Sequence, residues 1–124
     1  MTPGRITKRP EYLAANAGRR APTPGFVLLV KQRNDGDGAM RIGITVTKKV
    51  GNAVVRNRIK RRFRALARDV LPEAGWAGAD HVLIGRDDAL TRDYAALKHD
   101  LVRALARAAK APEGETRPRP RKRK

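Results

Sequence analysis

The chain has 124 residues, 29 Lys and Arg against 12 Asp and Glu, a formal net charge of +17 and no cysteine. This length suits one domain with one core, and the lack of thiols excludes disulfide bonds and cysteine-bound metals. No apolar run approaches the roughly 18 residues that would span a bilayer. The N-terminal sequence MTPGRITKRPEYL also lacks the apolar segment of a signal peptide, so we expect a cytoplasmic protein with no membrane partner. The excess positive charge favours a polyanion as partner, above all a nucleic acid.

The first 25 residues predict one short helix between two irregular segments. Residues 1–9 are basic and show no hydrophobic periodicity, which predicts a flexible arm. Pro10 suits a first helical position and Glu11 favours the positive end of a helix, so a short helix is expected until Gly18 stops it. Residues 19–25 are expected to form a basic connector.

Two β-type runs follow. Residues 26–30 (FVLLV) form a continuous apolar run, and residues 41–47 (RIGITVT) are rich in β-branched side chains. The sequence NDGDG at residues 34–38 predicts a turn between them. Because this link is short, the two strands are expected to pair as an antiparallel hairpin. The acidic residues of the turn do not complete a calcium loop, since no Glu closes the pattern.

A long basic helix is predicted next, with Asn52 as its N-cap after the tight turn that Gly51 permits. Its apolar residues recur at spacings of four, four, three and four, which is the helical period. We expect this stripe, including Phe63, to pack on a sheet. The stripe consists of Val55, Ile59, Phe63, Leu66 and Val70.

The rest of this helix carries charge of a single sign. Six of the nine residues 56–64 are basic and none is acidic. An ordinary solvated helix interleaves Glu four residues from Lys or Arg, and these cations have no such partner. The run therefore predicts a face that binds a polyanion instead of a merely soluble surface.

The C-terminal third predicts a loop, a strand and a helix. Pro72 begins a loop in which Trp76 covers the edge of the core. Residues 80–86 form the third clear strand. Asp87, Asp88 and Thr91 then offer caps for a last helix, and residues 110–124, rich in Pro, Arg and Lys, are expected to be disordered. The buried stripe of that helix is Tyr94, Leu97, Leu101, Leu105 and Ala108.

The sequence offers no catalytic residues and no metal site. His81 opens a strand and His99 lies on the last helix, so each is expected to have a structural role. The acidic residues near the last helix resemble caps more than metal ligands, because no second acidic cluster or matching His accompanies them. These residues are Asp87, Asp88 and Asp93.

The string KKVGNAVVRNRIKRRFR, residues 48–64, resembles the signature of the protein subunit of bacterial ribonuclease P. In that family a Lys-Lys, Gly-Asn, Arg-Asn-Arg sequence runs from a strand into a basic helix. Looser agreement extends from about residue 8 to residue 107. The resemblance implies an α+β fold, an α/β sandwich with a central mixed sheet of four strands, in the ribosomal S5 domain 2-like class. Residues 10–109 would form a single RNA-binding domain.

The resemblance also implies a function. In this family the RNA subunit performs the Mg²⁺-dependent hydrolysis that removes the 5′ leader from precursor tRNA. The protein binds the RNA subunit and holds the leader in a cleft of the sheet. The chain is thus expected to be part of an endoribonuclease while holding no metal itself, with the RNA subunit and precursor tRNA as its partners.

Site residues follow from the resemblance position by position. Tyr12 and Phe26 match aromatic positions that border the leader cleft. Asn16 and Leu29 stand where many relatives have further aromatic residues, so base stacking is expected to be thinner here. The RNA-contacting set is Lys48, Lys49, Asn52, Arg56, Asn57, Arg58, Lys60, Arg61, Arg62 and Arg64.

Two other functions share part of this pattern. A ribosomal or other structural RNA-binding protein would have the same charge and core, without needing residues 48–64 in this form. A DNA-binding regulator fits less well, because the basic helix follows a strand and no helix-turn-helix spacing precedes it.

Overall fold

The structure is a computed structural model that describes residues 4–6, 8–33 and 35–110. Asn34 of the predicted turn and residues 111–124 of the predicted tail lie outside the described residues. The elements, in chain order, are β1 (Gly4–Arg5), α1 (Arg9–Ala15), β2 (Arg19–Pro22), β3 (Phe26–Gln32), β4 (Arg41–Thr45), α2 (Ala53–Ala74), β5 (Ala79–Gly85) and α3 (Tyr94–Lys110), with a short 3-10 helix at Asp87–Ala89.

The strands form one mixed sheet in the order β1-β4-β5-β3-β2. Strand β4 runs parallel to β1 and β5, whereas β3 runs antiparallel to β5 and β2. Helices α2 and α3 cover one face through a large core, in which Leu66 and Leu101 pack with Leu28. Helix α1 covers the other face through a smaller core, in which Ala15 packs with Leu29. The predicted α/β sandwich is confirmed, with five strands in its sheet instead of four.

The predicted hairpin between residues 26–30 and residues 41–47 is wrong. Strand β5 lies between β3 and β4, and His81 of β5 is opposite both Val30 and Ile42. The short link does make β3 and β4 antiparallel in direction, but it does not make them neighbours. Most residues of β5 are buried. The central position covers both faces of this strand and so removes its apolar side chains from water.

Part of the predicted flexible arm and most of the predicted connector belong to the sheet. Gly4–Arg5 pair with Arg41 and Ile42, and Ile6 is only 4% exposed. Arg19–Pro22 pair with β3 as the opposite edge strand. A strand of two residues is too short to show alternation, and an edge strand is held by backbone hydrogen bonds that leave no mark on side-chain pattern.

The apolar stripes of the two long helices pack as predicted. Ile59, Phe63 and Leu66 are fully buried, and the Phe63 ring meets Phe26 edge to face, with 5.7 Å between ring centroids. The predicted loop before β5 begins later than Pro72, because α2 continues through this exposed residue to Ala74. A proline in a helix removes one backbone hydrogen bond and its ring crowds the carbonyl four residues earlier. Burial of the preceding Val70 and Leu71 offsets this cost.

His81 is a core residue, as its predicted structural role requires. It is 0% exposed, and its Nε2 accepts a hydrogen bond from the Trp76 backbone N–H at 3.1 Å. The proton must therefore sit on Nδ1, which faces the Arg41 carbonyl oxygen at 3.3 Å. Burial lowers the pKa of His81 to about 4. Trp76 packs against the large core, as expected, with the Arg19 guanidinium over its ring at 5.6 Å.

Candidate RNA interface

The turn before α2 is fixed by two of the predicted RNA-contacting residues. Asn52 caps the helix, since its Oδ1 accepts a hydrogen bond from the Val55 N–H at 3.0 Å. Arg56 Nε donates to the Gly51 carbonyl oxygen at 3.2 Å. Asn52 and Arg56 thus hold the local backbone, while Lys48 and Lys49 stay exposed on the turn.

Most of the predicted set on α2 faces solvent without anionic partners. Asn57, Arg58, Arg61 and Arg64 are exposed, and Lys60 and Arg62 are half-buried. In the described part of the chain, the arginines that form ion pairs with carboxylates are Arg33, Arg41 and Arg92. None of these ion pairs includes a cation of α2. The helix therefore presents an uncompensated positive face.

On one flank of α2, Arg58, Arg61 and Arg62 line a groove of about 670 Å³ that also touches the segment before α3. We call it the α3-side groove. Arg62 Nη2 donates a hydrogen bond to the Arg92 carbonyl oxygen, which ties this segment to α2. The Tyr94 hydroxyl, also in the groove, donates to Asp69 at 2.7 Å. Burial and this carboxylate raise the pKa of Tyr94 to about 12.

The other flank of α2 faces the edge of the sheet. Lys60, Arg64 and Arg68 line a groove of about 270 Å³ there, together with Arg5 of β1. We call it the edge groove. Its remaining lining is largely apolar and consists of Ile6, Tyr12, Ile42, Ile44 and Ala67.

On the opposite face of the sheet, α1 and the strands enclose a cleft of about 450 Å³, which we call the α1 cleft. Helix α1 contributes Arg9, Tyr12, Leu13 and Asn16 to its lining. The sheet contributes Leu29, Thr45, Val82 and Ile84. Tyr12 is thus the one aromatic side chain among the described residues that line the cleft, and Asn16 and Leu29 lie in it as well.

Tyr12 is held by the strand beneath it. Its hydroxyl donates a hydrogen bond to the Ile6 carbonyl oxygen at 3.2 Å. A Cβ added to Gly43 would lie 2.6 Å from Tyr12 Cε1, so the ring rests directly on the strand backbone. The glycine in β4 therefore permits the close approach that places Tyr12 at the mouth of the cleft.

The expectation that Phe26 borders the leader cleft is wrong. Phe26 is 0% exposed and belongs to the core beneath α2 and α3. Side chains alternate along a strand, so Phe26 and Leu28 face these helices whereas Val27 and Leu29 face α1. The family match located an aromatic residue at the start of β3, but it did not indicate the face of the sheet.

An ion-pair network, which the sequence did not reveal, attaches α1 to the sheet. Arg41 Nη1 contacts Glu11 of α1 at 2.9 Å, and Arg41 also binds Asp80 through two hydrogen bonds of 2.7 Å. Arg33 contacts the same Asp80 at 2.9 Å. Burial alone would raise the pKa of Asp80, but the hydrogen bonds from Arg41 and Arg33 outweigh it and lower the pKa. These residues are too far apart in sequence to form a recognisable motif.

The acidic residues near α3 and His99 have no catalytic or metal-binding arrangement among the described residues. Asp93 Oδ2 accepts a hydrogen bond from the Ala96 N–H at 3.3 Å, which makes it a cap of α3. Asp87 and Asp88 lie in the 3-10 helix, and His99 is exposed on α3. Within the described ranges, no three His, Asp or Glu side chains gather as metal ligands. None of the described helices is long and apolar enough to cross a membrane.

Comparison with known proteins identifies this arrangement. The family model for ribonuclease P matches residues 2–109. The chain is 53% identical over 122 residues to the ribonuclease P protein component of Erythrobacter litoralis, an alignment that covers 98% of this chain and 97% of that protein. It is 54% identical over 105 residues to that of Gluconacetobacter diazotrophicus, covering 84% of this chain and 90% of the relative.

Solved structures agree with the sequence comparison. The RNase P protein of Staphylococcus aureus superposes with a TM-score of 0.69 at 28% identity, covering 84% of this chain and 94% of that one. The RNase P protein of Thermotoga maritima also gives a TM-score of 0.69 at 28% identity, covering 83% and 96%. The chain therefore belongs to the bacterial ribonuclease P protein family, as the protein component of a holoenzyme that cleaves tRNA precursors.

Proposed function

We propose that the positive face of α2 binds the RNA subunit of ribonuclease P and that the α1 cleft holds the 5′ leader of precursor tRNA. The observation that carries this proposal is the row of α2 cations with no carboxylate partner among the described residues. Closely spaced cations repel one another, so the face gains most when phosphates lie against it. Arg supplies paired donors that suit a phosphate group.

The cleft suits a single strand of RNA. Unpaired bases can stack on an aromatic ring and pack on apolar side chains, which is how proteins commonly recognise single-stranded RNA. Tyr12 offers the ring, Leu29 and Val82 offer an apolar floor, and Arg9 offers a cation for the backbone. With Asn16 and Leu29 in place of further aromatic residues, leader contact relies on one stacking side chain.

The reaction itself is assigned to the RNA subunit, with Mg²⁺ held by RNA. His81 is buried and hydrogen-bonded inside the core, so it cannot reach a phosphodiester. The role of the protein is then electrostatic, because its cations replace part of the counterion atmosphere that packs RNA against RNA. The holoenzyme should need less Mg²⁺ than the RNA subunit alone.

A cleavage assay across a Mg²⁺ series tests this proposal. Precursor tRNA is incubated with RNA subunit alone, protein alone, or both. Only the reactions that contain RNA subunit should cleave, and added protein should move activity to lower Mg²⁺. The double substitution Arg58→Ala with Arg61→Ala should slow cleavage at low Mg²⁺, and higher Mg²⁺ should restore much of the rate.

A matched control removes the same charge elsewhere. Arg103 and Arg107 are exposed on α3 and line a separate groove beside Pro22, away from the α2 face. The double substitution Arg103→Ala with Arg107→Ala should leave the Mg²⁺ requirement close to that of the unmodified protein. Cleavage by RNA-free protein would overturn the proposal, and so would an α2 defect that is equally severe at every Mg²⁺ concentration.

A further inference from the structure

The cations of α2 form two rows that face different grooves. Lys60, Arg64 and Arg68 recur every four residues and line the edge groove. Arg58, Arg61 and Arg62 line the α3-side groove. A helix with its side chains is about 10 Å across, so the two rows present phosphate-binding groups in different directions.

The edge groove has the features of a nucleotide site. Strand β1 ends at Arg5 while β4 continues to Thr45, so no strand among the described residues pairs with Ile44 on this side. The apolar floor of the groove can receive a base. Cations stand on both of its walls, Arg5 from β1 and Arg64 from α2, so each wall offers a group that binds phosphate.

The edge groove and the α1 cleft meet at one side chain. Tyr12 lines both of them, and its ring lies on Gly43 of β4. A strand of RNA that lies in the cleft can therefore pass Tyr12, turn around the edge of the sheet and enter the edge groove. The α3-side groove shares no lining residue with the cleft.

We infer that the two rows serve different RNAs. The edge row, Lys60, Arg64 and Arg68, together with Arg5, binds leader nucleotides of precursor tRNA next to those in the α1 cleft. The α3-side row binds the RNA subunit. This inference rests on the proposed function and divides its single RNA-binding face by partner.

The test compares two double substitutions that remove the same charge from α2. Holoenzymes are reconstituted with Lys60→Ala/Arg64→Ala or with Arg58→Ala/Arg61→Ala. Dissociation constants are measured for precursor tRNA and for mature tRNA, which has no leader, and the affinity of each free protein for the RNA subunit is measured separately. Thermal unfolding checks that each variant is folded.

The edge pair, Lys60→Ala/Arg64→Ala, should lower the affinity of the holoenzyme for precursor tRNA by about tenfold at low salt, as expected for two lost phosphate contacts. Its affinity for mature tRNA should be unchanged. The α3-side pair, Arg58→Ala/Arg61→Ala, should lower the affinity of the free protein for the RNA subunit. The ratio of the affinities for precursor and mature tRNA should be unchanged. Arg5→Ala, on the opposite wall of the edge groove, should repeat the leader-specific loss. If the edge pair does not fold, Arg5→Ala alone tests whether the edge groove binds the leader.

Two results would overturn the inference. The first is that the edge pair lowers the affinities for precursor and mature tRNA equally. The second is that the edge pair lowers the affinity for the RNA subunit as much as the α3-side pair does. A separate result speaks against the proposed function itself, namely an unmodified holoenzyme that binds precursor tRNA no better than mature tRNA. The unmodified protein alone shows this, so the two failures can be told apart.

Discussion

His81 makes the stability of the domain depend on pH, because its imidazole is buried in the neutral form. An unfolded His has a pKa near 6.5, whereas burial lowers the pKa of His81 to about 4. Between these values the unfolded chain takes up a proton and the folded chain does not. Acid therefore favours the unfolded state, and a protonated Nε2 could no longer accept the Trp76 hydrogen bond.

The free energy of unfolding should fall by about 2 kcal/mol from about pH 7 to about pH 5 through this residue alone. Urea unfolding at several pH values measures the fall. His99→Gln changes an exposed imidazole and should keep the slope, whereas His81→Asn should flatten it. An NMR titration in which His81 protonates near its ordinary pKa would contradict the expectation.

At the scale of elements, α1 is a short part of the interface that buries few side chains. It has seven residues, of which only Ala15 is buried. Its side-chain links to the sheet include the Tyr12 hydrogen bond and the ion pair between Glu11 and Arg41. Because Asp80 orients Arg41, a buried charge inside the sheet sets the position of the helix that forms one wall of the α1 cleft.

Glu11→Gln should loosen α1 with little effect on the rest of the domain. A half-exposed ion pair contributes about 1 kcal/mol or less to stability, so the melting temperature should change little. Amide hydrogen exchange in residues 9–15 should become faster, and the affinity of the holoenzyme for precursor tRNA should fall a few-fold.

Asp100→Asn is the matched control for this substitution. It removes an ion pair, Arg92 to Asp100 at 2.6 Å, that shares no residue with the network of Glu11, Arg41 and Asp80. Exchange in α1 should stay as slow as in the unmodified protein. Unchanged exchange in Glu11→Gln as well would show that the ion pair does not hold the helix.

The long elements could be predicted from sequence because each carries its own period. The α2 stripe with Asn52 as cap, and the α3 stripe ending at Ala108, both appear as expected. What failed depends on contacts between distant segments. The insertion of β5 between β3 and β4, the edge strand at Arg19–Pro22 and the inward side of Phe26 are all decided by tertiary packing, on which local spacing is silent.

At the scale of the whole molecule, the net charge of +17 should govern RNA binding. Each phosphate contact contributes about 0.7 to 0.9 to the slope of log affinity against log salt, so six contacts predict a slope of about −4 to −5. Dissociation constants for the RNA subunit over a salt series give this slope. Arg58→Ala with Arg61→Ala should make it shallower by one to two units, or about 0.8 for each lost contact.

The outcome that speaks against this expectation is an affinity nearly independent of salt. Binding would then depend on apolar or base contacts instead of the α2 cations. The Arg103→Ala/Arg107→Ala protein again serves as the control, since its charges lie outside the α2 face. Its slope should remain close to that of the unmodified protein.

The central place of β5 also governs how the chain can fold during synthesis. Among the described strands β5 is the last to be made, yet β3 and β4 meet only through it. Until residues 79–85 have left the ribosome, β4 can pair only with the two residues of β1, and β3 only with the short β2. Such pairs bury little surface and are not stable alone. The nascent protein therefore has no stable half, and the α1 cleft and the α2 face become available together in one late, cooperative step.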